Sequence, residues 1–180
     1  MNDSVALARR TFLKWATAIG SGLIGVLAGI PALRVFLSPA FRRGTETRWI
    51  KIGEADLFDP DIPTQVSFGE TINDAWVQNR VLRNVWVYTS DGENFIVYNG
   101  RCPHLGCAYR FDKDPDPAYH REPNVFHCPC HHGVFELKDG AVLAGPPPRG
   151  LDRLDTKVEG GMLYVAYRDF RVGVAERVAV

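Results

Sequence analysis

All four cysteines of this 180-residue chain lie in two short clusters, Cys102-Pro103-His104-Leu105-Gly106-Cys107 and Cys128-Pro129-Cys130-His131, and each cluster also carries a histidine. In an extended loop, residues two apart point the same way, so Cys102 and His104 can converge on one metal atom. Gly106 lets the chain turn with no side chain in the way. Cys128 and His131, three apart around Pro129, converge if their loop curls. One thiolate and one imidazole from each loop make a set of two Cys and two His, with Cys107 and Cys130 remaining, one per loop. Tetrahedral zinc accepts such a set, which would make the chain a zinc-stabilised interaction module. That reading leaves Cys107 and Cys130 unexplained, and zinc fingers space their ligands differently. His120 and His127 read as ordinary loop residues, and His132 reads as a rim residue beside a ligand.

Around these clusters the chain has the short period of strands. Trp49-Ile50-Lys51-Ile52, Gln65-Val66-Ser67-Phe68 and Val85-Trp86-Val87-Tyr88 are rich in β-branched and aromatic residues. Ser90-Asp91-Gly92-Glu93 separates Val85–Tyr88 from Phe95–Tyr98 and predicts a hairpin, since Asp-Gly supplies the positive φ of tight turns. A second hairpin is expected from Leu154–Val158 and Met162–Tyr167 around Glu159-Gly160-Gly161. The expected fold class is mainly β, a small antiparallel sandwich or barrel. Lys plus Arg (21) equal Asp plus Glu (21), so no global positive field would gather nucleic acid.

The N-terminus is a separate unit. The uncharged run Trp15–Leu33 carries only Thr17 and Ser21 as hydroxyl residues, so it lacks the polar face of a surface helix. A helix of about 20 such residues spans a bilayer. Arg9-Arg10-Thr11-Phe12-Leu13-Lys14 just before it resembles a twin-arginine export signal, read by a translocase for folded proteins. Ser38-Pro39-Ala40 also offers a weak cleavage site. The expected division is 1–37 signal and transmembrane anchor, 38–47 flexible linker, and 48–180 head.

The pattern C-x-H-x-G-C followed by C-P-C-H resembles the Rieske iron-sulfur proteins of cytochrome bc-type quinol–cytochrome c oxidoreductases. The resemblance implies one 2Fe-2S cluster, with Cys102 and Cys128 on one iron and His104 and His131 on the other. It also implies a disulfide between Cys107 and Cys130. Closing that loop of about two dozen residues would stabilise the fold by roughly 3 kcal/mol and requires an oxidising compartment. Gly145-Pro146-Pro147-Pro148 resembles the family's proline-rich loop over the cluster, so Pro146 and Pro147 are cluster-tuning candidates. By the same resemblance, His131 accepts a hydrogen bond from quinol and His104 lines the same tip.

Further implications concern partners and potential. The partners would be a cytochrome b subunit, a c-type cytochrome and quinol, in a dimeric multi-subunit complex with its Rieske head outside a bacterial cytoplasmic membrane. The small Rieske subunit of a molybdenum oxidase such as arsenite oxidase is the alternative. High-potential members carry a serine two residues after the second ligand histidine and a tyrosine four after it. Here Gly133 and Phe135 stand at those places and cannot donate through a side chain, which implies a lower potential and a donor such as menaquinol. Asp112-Lys113-Asp114-Pro115-Asp116 reads as a solvated insertion with no cluster role, and the 168–180 tail suggests no chemistry.

Overall fold

A computed structural model describes residues 2–37, 49–74 and 77–180. The expected linker at 38–47 and the cleavage site at Ser38-Pro39-Ala40 lie outside them. The chain divides into two compact units, residues 1–46 and 47–180.

In the first unit, α1 (Asn2–Leu37) runs through the whole apolar segment and beyond it, with Pro31 inside the helix. Its stretch Leu7–Leu37 has a mean hydropathy of 1.8 and is long and apolar enough to cross a membrane. The apolar side chains of Leu23, Ile24 and Leu27 are exposed. Between Trp15 and Leu33 the helix carries no charged residue, so this part fits a single-pass membrane anchor. Thr17 sits inside the span without an orphaned hydroxyl because it donates to the Leu13 carbonyl one turn back.

Among its described residues, the second unit has nine strands after β1 (Trp49–Glu54): β2 (Thr64–Asp74), β3 (Val77–Thr89), β4 (Phe95–Asn99), β5 (Arg110–Asp112), β6 (Val125–Cys128), β7 (Gly133–Glu136), β8 (Val142–Ala144), β9 (Arg153–Glu159) and β10 (Met162–Ala166). A short 3-10 turn, Ala55–Leu57, follows β1. Antiparallel pairing makes a six-stranded sheet in the order β1-β10-β9-β4-β3-β2 and a four-stranded sheet in the order β5-β6-β7-β8.

Strand β3 shows why two sheets form. Its period of two sends Val85 and Val87 to one face and Trp86 and Tyr88 to the other, and all four are buried. The valine face joins Val97, Leu154, Leu163, Val165 and Phe58. Ile50 and Ile52 from one end of the sheet and Val66 and Phe68 from the other pack on this same cluster. The large sheet therefore curls toward a barrel around an aliphatic core. The aromatic face of β3 joins Tyr98, Tyr109, Phe126, Phe135, Cys102 and Cys128 under the small sheet.

Both expected hairpins form. Between β3 and β4, Gly92 takes a φ of 76°, and Asp91 Oδ1 accepts the backbone N–H groups of Glu93 (2.9 Å) and Asn94 (2.7 Å). Between β9 and β10, Met162 pairs with Glu159, and Gly160 and Gly161 both have positive φ, as a two-residue turn demands. The expected strand at Gln65–Phe68 is part of the longer β2, which pairs with β3 as an antiparallel ribbon.

Candidate metal centre

The first loop leaves β4 and folds back on itself. Arg101 bridges Ala108, Cys102 N–H donates to the Cys107 carbonyl at 2.8 Å, and Gly106 N–H donates to the Cys102 carbonyl at 2.9 Å. The expectation of an extended segment at Cys102–His104 is corrected, because Pro103–Leu105 is a tight turn. Gly106 closes it at a φ of 80°, where an L side chain would be strained.

The second loop is the β6–β7 turn. Cys128 pairs with Gly133 across its base, so Pro129–His132 curls as the spacing requires, with His132 at a φ of 55°. Both loops thus carry more hydrogen-bonded order than irregular segments would. The disulfide joins them through Cys107 and Cys130, 23 positions apart, and leaves Cys102 and Cys128 as unpaired, buried thiols.

These residues offer a mixed donor set. Cys102 is 1% exposed and Cys128 2%. Burial pushes the Cys102 thiol up to about 12, and the neighbouring Cys128 adds to the rise. A free thiolate there is strongly disfavoured, whereas a metal stabilises thiolate directly. The His104 and His131 rings meet edge to face, 4.8 Å between centroids, with His104 half-buried and His131 exposed. Soft sulfur donors inside and imidazoles at the rim fit an iron-sulfur group with mixed ligands.

Two segments brace the loops. In the proline loop, Gly145 has a φ of 92°, and a Cβ there would lie 2.5 Å from the His132 carbonyl oxygen. Gly133 is equally tight, since a Cβ would lie 2.6 Å from Pro147 Cγ. Pro147 is buried and Pro146 exposed. The tail, mute in sequence, supports the first loop through Gly173 N–H, which donates to the Pro103 carbonyl at 2.9 Å. Arg149 anchors that tail by donating to the carbonyls of Arg171 and Val174 while gripping Asp152 in a two-pronged ion pair.

A family model for the Rieske [2Fe-2S] domain matches residues 48–156. The chain belongs to this Rieske family. Its 2Fe-2S cluster is the cofactor that the donor set accommodates. Among curated relatives, the menaquinol:cytochrome c reductase iron-sulfur subunit of Bacillus subtilis is 29% identical over 160 residues, covering 88% of this chain and 91% of the relative. The protein of the same description from Geobacillus thermodenitrificans is 30% identical, covering 88% and 90%. The cytochrome b6-f complex iron-sulfur subunit of a Synechococcus strain is 24% identical, covering 88% and 86%.

The Rieske head departs from the sequence reading in its insertion. Asp112 ends β5 instead of opening a solvated stretch, and its carboxylate is only 13% exposed. His127 lies within β6, not in a loop, and the side chains of His120 and His127 are both fully buried. Burial alone would raise the Asp112 carboxyl, but hydrogen bonds from Arg110 and His120 outweigh it and hold the group below its ordinary value. Burial lowers His127, against the pull of Asp112. His132 does sit at the rim, with its ring stacked on Tyr119 at 4.0 Å. The apolar neighbours Val125-Phe126 were the available signal, since a strand reading of 125–128 would have buried His127.

Proposed function

We propose that this chain is the electron-transfer subunit of a quinol–cytochrome c oxidoreductase in a bacterial cytoplasmic membrane. Menaquinol is its donor and a c-type haem its acceptor. The observation that carries this reading is the meeting of His104 and His131 at an accessible edge beside the buried thiols Cys102 and Cys128. Both groups are held in place by the Cys107–Cys130 bond.

On this reading Cys102 and Cys128 hold one iron, and His104 and His131 hold the other. When bound, the cluster supplies a one-electron carrier whose potential is raised by its neutral imidazole ligands. His131, the exposed ring, accepts the hydrogen bond of a quinol hydroxyl and receives its proton, and His104 lines the same contact. Burial of Cys102 and Cys128 keeps water from the sulfur side. Gly133 and Phe135 offer no side-chain donor there, which favours a low-potential quinol. The relatives described as menaquinol:cytochrome c reductase subunits support the same donor.

The assembly follows from this chemistry. A cytochrome b subunit supplies the quinol pocket, and the complex is a dimer of several subunits. Helix α1 is the single-pass anchor behind a twin-arginine signal at Arg9–Lys14, and the head works on the outer face.

Purification from native membranes tests the reading. Cytochrome b and c-type haem should co-purify with the chain. The reduced protein should show the low-g paramagnetic signal of a mixed Cys/His two-iron site. A molybdopterin subunit in place of cytochrome b would overturn it in favour of a molybdenum oxidase.

A further inference from the structure

We propose that Asp112, His120 and His127 form a second metal site, for a divalent transition-metal ion of the zinc class. Three segments supply the ligand atoms: the end of β5, the turn before β6, and β6 itself. His120 Nε2 and His127 Nδ1 each lie 3.1 Å from the same carboxylate oxygen, Asp112 Oδ2. With metal–ligand bonds of about 2.0 Å, a tetrahedral ion has ligand-to-ligand edges of about 3.3 Å. All three atoms lie within 4.8 Å of one another.

The hydrogen bonding of His120 argues for a cation between these atoms. Its Nδ1 lies 2.9 Å from the Glu122 carbonyl oxygen, which only accepts, so Nδ1 carries the proton. In the neutral ring Nε2 is then a lone pair, and it faces a carboxylate oxygen. Two acceptors at 3.1 Å repel unless a proton or a metal lies between them. The His120 side chain is fully buried, and in the proposed site the metal takes the place that a second ring proton occupies when His120 donates to Asp112. A histidine that donates its second nitrogen to a backbone carbonyl is also the usual outer support of a bound metal.

His127 is oriented the same way. Its Nε2 lies 3.4 Å from His132 Nδ1, which leaves Nδ1 for the Asp112 side. Arg110 is the opposing charge, with its Nε on Asp112 Oδ1 at 2.7 Å and its Nη2 3.4 Å from His127 Nδ1. Its side chain is 53% exposed. The same Nη2 also donates to Asp112 Oδ2 at 3.3 Å, so the metal takes the place of that guanidinium nitrogen, and the exposed Arg110 side chain turns outward to admit it. Oxygen and nitrogen donors of this kind suit zinc, and water would complete the coordination.

The site is distinct from the cysteine-bearing centre, so the two readings fail separately. The full-length chain, purified in detergent with its iron, is equilibrated with micromolar zinc, passed over a chelating resin and assayed for both metals. The expected result is one zinc beside two irons, with a zinc absorption edge showing imidazole and oxygen ligands. His120→Ala and Asp112→Asn should each weaken zinc binding by at least about 10-fold, since even outer-shell changes cost that much. Iron content and the paramagnetic signal should stay unchanged, which reports that both variants are folded. Absence of retained zinc in the wild type, equal zinc in both variants, or sulfur ligands at the zinc edge would each overturn the proposal. Sulfur ligands would place the ion at the cysteines instead.

Discussion

A serine at position 133 has no room for its first carbon. The Cβ would meet Pro147 Cγ at 2.6 Å and Cδ at 3.2 Å, and a proline ring cannot rotate aside. Gly133→Ser should therefore lose about 1–3 kcal/mol, as overpacked sites do, and Gly133→Ser with Pro147→Ala should recover most of it. Thermal melts of the two variants check this, and equal melting points would show that the contact does not govern the site. Phe135→Tyr differs, because Phe135 is fully buried in the cluster that contains Cys102 and Cys128. A hydroxyl bonded to cysteine sulfur stabilises the reduced form more than the oxidised one. A difference of ~1 kcal/mol corresponds to roughly 40 mV in a one-electron couple. Redox titration at fixed pH should show that rise, and an unchanged potential with iron intact would remove the argument for a low-potential donor. The proposed ligand residues stood out in the sequence because each lies within three positions of its loop partner, Cys102 with His104 and Cys128 with His131. Gly133 was legible only as a missing hydroxyl, since its collision with Pro147 is a contact between segments.

At the scale of elements, the two loops hold their shape through one covalent tie and two turns. Cys107→Ser or Cys130→Ser should cost roughly 3 kcal/mol and speed loss of the visible absorbance on dilution, while all four proposed ligands remain. If both variants bleached no faster than the wild type, the tie would be dispensable. The β3–β4 turn gives a pH dependence. Asn94 first, through its backbone N–H and then its side chain, and the Glu93 N–H next, hold the Asp91 carboxyl well below the usual carboxylate range. A depressed carboxyl contributes stability above its unfolded value of about 4 and loses it as pH falls through the folded value. Amide exchange at Glu93 and Asn94 should quicken below about pH 4, and Asp91→Asn should abolish that change. The turns were readable because Asp91-Gly92 and Gly160-Gly161 state their geometry locally. Strand β5 was not, since Arg110–Asp112 is three residues long and becomes a strand only by pairing with β6.

For the whole head, one ion pair joins distant parts of the chain. The side chains of Arg149 and Asp152 are 9% and 4% exposed, so removing the guanidinium strands a buried carboxylate. Arg149→Ala should destabilise the head by about 3–5 kcal/mol and free the 168–180 backbone, measurable as faster amide exchange at Gly173. Unchanged exchange there would mean that the tail is held by other contacts. None of this was legible, because a terminal strip with isolated Arg and Gly residues acquires meaning only from what it lies against. The two-faced burial along β3 reaches further. Its valine face belongs to a core with no candidate iron ligand, while its aromatic face belongs to the core containing Cys102 and Cys128. The two cores therefore differ in their dependence on the metal centre: one contains two proposed ligands, and the other contains none of them. The consequence is a division of labour inside one head: losing the cluster should loosen the small sheet and its aromatic core, while the aliphatic barrel keeps its packing.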